Sequence, residues 1–256
     1  MVADPVSFAM KDLFQSQPIT WPVIAWLCVG LTGIAAPVAA VIYFATTPDT
    51  PSWTFVGGPI LAVALMGAGI IGAAAAGRFG IGILLALAGA GTVIALASVL
   101  GSATLADPLA LVIAALIASI SFAARGALFA RSLEARGWWM ALAVVAGEGA
   151  IVVTALADPS ALPRWLLVLL PAQWATIAVQ NALAGAGAFA ASSALIALGG
   201  TAAATMLVTA LWPRRWTYVI MFTVWLSLSA LVYHRPAPPL LNVDQSPAVS
   251  SEIIPS

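Results

Sequence analysis

Glu148 stands in Ala146-Gly-Glu-Gly-Ala150 and is the one acid well inside an apolar run. It lies ten residues after Trp138 and nine before Ala157, so a helix through this run carries the carboxyl near its midpoint. At the centre of a bilayer an ionised carboxylate costs about 2.5–3.5 kcal/mol on insertion scales. The acid is therefore expected to be protonated unless a cation or a donor meets it. Two jobs suit such a residue: a proton, cation or ligand site, or a neutral acid bonded to a neighbouring helix. Gly147 and Gly149 beside it predict that another backbone comes close.

Donors for that acid are sought on the next apolar segment. Gln173, Thr176 and Gln180 are spaced by three and four residues and share one helix face, with Asn181 beside it. Amides avoid lipid, so this face is expected to look inward. Together with Glu148 it forms the candidate ion- or substrate-binding set. The alternative is a helix lying on the membrane surface with this side towards water. Thr201, Thr205 and Thr209 recur in steps of four, as do Thr223 and Ser227. Hydroxyls in membrane helices usually bond back to their own backbone, so these stripes read as packing before they read as a pore.

A basic stretch, Arg125, Arg131 and Arg136 interleaved with Leu128, Phe129 and Leu133, continues the fourth apolar segment. It predicts contact with anionic headgroups or with a docking partner, or serves simply as a topology anchor.

Other chemistries are excluded by what is missing. The single lysine is Lys11, outside the apolar runs, so no retinal Schiff base can form in a late helix. The single histidine, His234, cannot build a bis-His haem, a di-iron site or a copper site alone. There is no paired-acid motif, nucleophile elbow or P-loop. No cofactor and no metal are expected. Cys28 has no second cysteine to pair with. With nine basic and nine acidic residues the net charge is zero, so nothing points to nucleic acid.

The elements that position these residues follow from composition. Of 256 residues, 62% are hydrophobic and 7% charged, and mean hydropathy is +1.08. A soluble surface needs about a quarter charged residues, so the solvent of this chain is lipid. Apolar runs of roughly 20 residues match helices across ~30 Å of hydrocarbon, not ~10-residue barrel strands. The chain reads as an all-α, polytopic transmembrane bundle with eight apolar segments: Trp21–Phe44, Trp53–Gly77, Phe79–Gly101, Pro108–Ala130, Trp138–Ala157, Trp165–Ala182, Gly185–Trp212 and Trp216–Tyr233. Tryptophans cluster at their ends, as at membrane interfaces. Trp174 and Trp225 lie inside segments and are assigned to helix packing. Residues 1–20 read as a cytoplasmic amphipathic segment, 21–234 as the bundle, and 235–256 as a disordered Pro/Ser-rich tail.

Gly69, Ala73 and Gly77 on the second segment, and Gly82 and Ala86 on the third, form small faces that predict a tight helical hairpin about Arg78. Lys11, Arg78, Arg125, Arg131 and Arg136 fall on one side, which places the N-terminus in the cytoplasm of a bacterial-type inner membrane. Seven and eight crossings compete, and the doubtful segment is Trp165–Ala182 with its Pro171. Arg214 and Arg215 favour seven. Against seven, the 47 residues from Trp165 to Leu211 would make ~70 Å of helix, too long for one crossing. Trp53 and Trp165 are each followed by proline six residues on, a faint duplication that also favours eight. Eight is preferred.

The functional expectation has two branches. One is a non-enzymatic structural or accessory subunit of a membrane complex, favoured because buried charge is sparse. The other is a small permease or proton/ion-coupled transporter centred on Glu148. An enzyme is the weakest reading. Partners beyond the bilayer stay open between other membrane subunits and further copies of the chain.

Overall fold

Long apolar stretches have one way to satisfy their backbone in lipid, which is to hydrogen-bond within themselves. The computed structural model obeys this over the residues it describes, 21–48, 50–103, 105–214 and 216–235, and no strand occurs among them. The proposed amphipathic segment 1–20 and the tail beyond Arg235 lie outside the described residues. Among the described residues seven helices are long and apolar enough to cross a membrane: α1 (Pro22–Thr46), α2 (Trp53–Ala76), α3 (Phe79–Val99), α4 (Pro108–Leu133), α5 (Gly137–Ala157), α9 (Ser192–Ala210) and α10 (Trp216–His234). Three short helices lie between α5 and α9: α6 (Arg164–Val168), α7 (Pro171–Leu183) and α8 (Gly187–Ala190). The chain is therefore a multi-pass, all-helical membrane protein.

Local chemistry sets the ends. α2 stops where Gly77 enters the left-handed region at φ 62°, and extended Arg78 starts α3. α4 begins at Pro108, whose missing N–H costs nothing at a first helical position, and Asp107 caps it by accepting the Ala110 N–H at 2.9 Å. The basic stretch runs to the end of α4 and through a 3₁₀ turn, Glu134–Arg136, leaving Arg131 and Arg136 exposed.

The small-residue faces pack as a unit. A Cβ on Gly82 would sit 2.6 Å from the Ala73 Cβ and 2.7 Å from the Gly69 carbonyl oxygen. One on Gly69 would sit 3.1 Å from the Phe122 Cβ and 3.5 Å from the Ala86 Cβ, so α4 shares a contact expected of α2 and α3 alone. Gly77 has open space around its Cα and works as a turn residue. α1 joins through a π turn, Leu31–Ala35, that lies against a second one, Gly67–Ile71, in α2. Pro37 follows the first, and its ring withdraws the N–H that the Gly33 carbonyl would take. α4 lies at the centre, touching α2, α3, α5, α7 and α9.

The sixth apolar segment departs from the expected single helix. Trp165–Ala182 is split between α6, of five residues, and α7, of 13. Leu170 at the junction is extended, at φ −94° and ψ 121°. The cause is local: the ring of Pro171 disfavours helical geometry at the residue before it. The depth of each piece follows from its neighbours. Arg164 lies over the Tyr233 ring, 5.5 Å from its centre, at the far end of α10. Leu169 lies beside Trp225, midway along α10. Leu183 lies against Gly57 and Trp53, at the start of α2. The α6–α7 pair thus dips to mid-bundle and returns to the end it came from. The excess length between Trp165 and Leu211 is taken up by this dip.

Candidate functional site

Charge comes together where the dip is deepest. Glu148 lies near the middle of α5, and its Oε2 accepts the N–H of Ala172, 3.1 Å away, in the first turn of α7. Its Oε1 is 3.7 Å from Nη1 of Arg125, which α4 brings in from the other side. Both side chains are largely buried, 16% and 14% exposed. The Arg125 guanidinium also sits over the Phe122 ring at 5.4 Å, and its Nη2 reaches Ser121 Oγ at 3.4 Å. Ser121 in turn meets Thr201 Oγ1 of α9 at 3.3 Å. Four elements converge on one ion pair.

The pair is loosely bonded. A hydrogen bond between nitrogen and oxygen wants 2.7–3.2 Å, so 3.7 Å gives Coulomb attraction without a bond. Nη1 of Arg125 is buried and has no hydrogen-bond partner among the described residues. A guanidinium stays charged in proteins, so this donor is an unmet demand.

Beside the pair lies a cavity of about 460 Å³. Arg125, Glu148 and the hydroxyl-bearing Thr201 and Thr205 contribute its polar lining, and the rest is apolar, including Leu169, Met221 and Trp225. It lies between α5 and α10, with the α6–α7 break on its wall. The break itself is held by two indoles. Trp174 donates Nε1–H to the Val168 carbonyl at 2.7 Å, and Trp225 donates to Leu169 at 3.2 Å. These tryptophans satisfy carbonyls that a continuous helix would have satisfied, a purpose beyond the packing expected of them.

The face predicted to meet Glu148 serves other groups. Thr176 bonds back to the Ala172 carbonyl at 3.0 Å and Asn181 Nδ2 to the Ile177 carbonyl at 2.8 Å. Gln180 reaches across to α2, donating Nε2–H to the Phe55 carbonyl at 2.7 Å. That carbonyl lies four residues before Pro59 inside α2, where proline has no N–H to offer it. Gln173 is half-buried and makes no bond to Glu148. What this segment offers the acid is a main-chain N–H, freed because Ala172 is in the first turn of α7. The expected backbone approach at Gly147 and Gly149 is absent: a Cβ on Gly147 would meet nothing within 4 Å, and one on Gly149 only the Met66 Cε at 3.9 Å.

Arg125 does not share the surroundings of the other two arginines of the basic stretch. Arg131 and Arg136 are exposed at the bundle end, whereas Arg125, six residues before Arg131, is turned inward. The sequence carries one sign of this. Arg125 follows Ser121 and Phe122 within an apolar run, before the amphipathic pattern begins. The threonine stripes behave as expected, with Thr201, Thr205, Thr209, Thr223 and Ser227 all bonding back to carbonyls of their own helices. No group of three or more His, Cys, Asp or Glu side chains able to hold a metal occurs among the described residues.

No protein-family model matches this chain, and neither a curated protein nor a solved structure matches it.

Proposed function

We propose that this chain is a small membrane transporter whose binding site is the cavity at Arg125 and Glu148. One observation carries the reading: a helix broken in mid-bundle ends against a buried ion pair and an open cavity. Broken helices at membrane depth are tolerated where they line a cavity or are buried in protein, and they recur at transporter binding sites. A purely structural subunit has no need of the solvation cost of a buried charge pair. The accessory-subunit reading rests on sparse buried charge and on small packing faces; the Arg125–Glu148 pair weakens the first ground, and a transporter also uses such faces.

The proposed placement in a bacterial-type inner membrane has seven crossings and one re-entrant pair, α6–α7. Arg78, Arg131, Arg136 and Arg214 share one end of the bundle, which the positive-inside rule assigns to the cytoplasm. The N-terminus is then inside and the tail after Arg235 outside. A protease-sensitive tag after Ser256 should be cut from outside intact cells; protection would overturn this topology.

The transporter reading is tested by access to the cavity. In a Cys28→Ser background, Thr205→Cys should react with a membrane-impermeant maleimide from each side of sealed vesicles, because a carrier opens its site alternately. Gentle solubilisation should yield a monomer or homo-oligomer by native mass measurement. Labelling from neither side, together with stoichiometric companion chains, would favour the accessory subunit.

A further inference from the structure

The geometry points to an amphiphilic monocarboxylic acid as the ligand of this cavity, its carboxylate bound to Arg125 and its proton delivered to Glu148. This rests on the transporter reading and adds its substrate class and its coupling.

The walls decide the body of the ligand. Apart from the ion pair and two threonines whose hydroxyls are already bonded to their own helix, the cavity is lined by apolar side chains. A sugar or a polyol would find few partners there. At about 460 Å³ it falls in the range of small-molecule sites. Arg125 decides the head. Its Nη1 is buried without a hydrogen-bond partner, and the planar guanidinium fork matches a carboxylate in two-point fashion. The resident carboxylate does not fill that role, since Glu148 stands 3.7 Å off and spends Oε2 on the Ala172 N–H.

Charge decides the coupling. With Arg125 and Glu148 the site is neutral, and a second carboxylate would leave two anions on one cation. The exchange that keeps it neutral moves one proton. The O–H bond of the incoming acid breaks, an O–H bond forms on Glu148, and the ligand carboxylate takes Arg125. Among the described residues no other titratable side chain lines the cavity. α4 supplies Arg125 and α5 supplies Glu148, while the linings from α6, α7, α9 and α10 are uncharged. The proton therefore has one acceptor. Release reverses the exchange, so anion and proton move together.

Radiolabelled octanoate, with octanoate and methyl octanoate as unlabelled competitors, tests this on the full chain in phosphatidylcholine nanodiscs. Octanoate should bind saturably, and its Kd should rise roughly tenfold per pH unit between pH 6 and 8, the mark of one proton taken up on binding. Methyl octanoate, which has no acid, should not displace it. The double variant Arg125→Gln/Glu148→Gln, which removes both charges and leaves neither unpaired, should lose octanoate binding by at least tenfold. If methyl octanoate displaces the label as well as octanoate does, or if wild-type binding is independent of pH, the coupled uptake of anion and proton is overturned and the ligand cavity stands. If no label is displaceable by either competitor, both this inference and the binding cavity fall.

Discussion

Trp53 and Trp165 are each followed by proline at the sixth residue, yet the two prolines sit in opposite structures. Pro59 lies inside α2, which runs unbroken through it. Pro171 begins α7 after an extended Leu170 that ends α6. Proline removes the same donor in both cases, so proline alone does not decide whether a membrane helix breaks. The decision rests with whatever satisfies the stranded carbonyls. At Pro59 the Phe55 carbonyl takes the Gln180 amide, and the helix continues. At Pro171 the chain turns, the Leu170 N–H falls back on the Leu167 carbonyl at 3.0 Å, and two tryptophans take the next two carbonyls. The second solution leaves the N–H of Ala172 free in mid-bundle, and Glu148 uses it.

The comparison can be broken at four points. The largest effect is expected at the ion pair beside Pro171, which has no counterpart beside Pro59. Glu148→Gln leaves a buried guanidinium that cannot lose its proton, and should cost about 3 kcal/mol. Arg125→Gln should cost less, because the remaining carboxyl can take up a proton. The double variant should cost less than the sum, and thermal unfolding in detergent measures all three. Equal and additive losses would mean the pair is not coupled.

Trp174→Phe keeps the ring in its fully buried place but strands the Val168 carbonyl, at a cost of about 2 kcal/mol. Trp225→Phe, at a longer bond and in a partly buried site, should cost less in the same assay. A reversal of that order would show that the break is not held by these indoles.

Gln180→Met removes the donor to Phe55 and should cost about 1 kcal/mol. In a Pro59→Ala background the helix can supply its own N–H, so the same change should be nearly neutral. This cycle tests the idea that Gln180 compensates for Pro59. A penalty that persists in the alanine background would assign the glutamine another duty. Smallest of all, Gly147→Ala beside the acid should fall within about 0.5 kcal/mol of wild type or stabilise α5, since its Cβ meets open space. A large loss would restore the close helix approach that the Gly-Glu-Gly motif predicts.

Several features are legible in the amino-acid sequence alone. Continuous apolar runs near 20 residues, almost free of charge, leave a chain in lipid no alternative to helices, so the segments are readable one by one. The small faces of Gly69, Ala73, Gly82 and Ala86 pack as their spacing requires, because close contact between helices needs only the absence of side chains. Glu148 is visible as the costly residue, because one acid in an apolar run stands out without knowledge of its neighbours.

What surrounds Glu148 is another matter. Periodicity places residues on a face of their own helix, and neither the rotation nor the depth of the next helix follows from it. Gln173, Thr176 and Gln180 share a face, yet the amide of Gln180 is drawn away by a carbonyl 125 positions earlier in the chain. Arg125 reads as one of three arginines on a basic stretch until the turns of α4 carry it below the bundle end and against α5. The same limit applies to Trp165–Ala182, whose length and hydropathy fit one crossing while Pro171 allows a break. Sequence determined that this is a lipid-embedded helical bundle with one expensive acid. The partner of that acid, and the fold of the segment beside it, were decided by tertiary structure, because both depend on which distant groups satisfy a charge and a few stranded carbonyls where no water can.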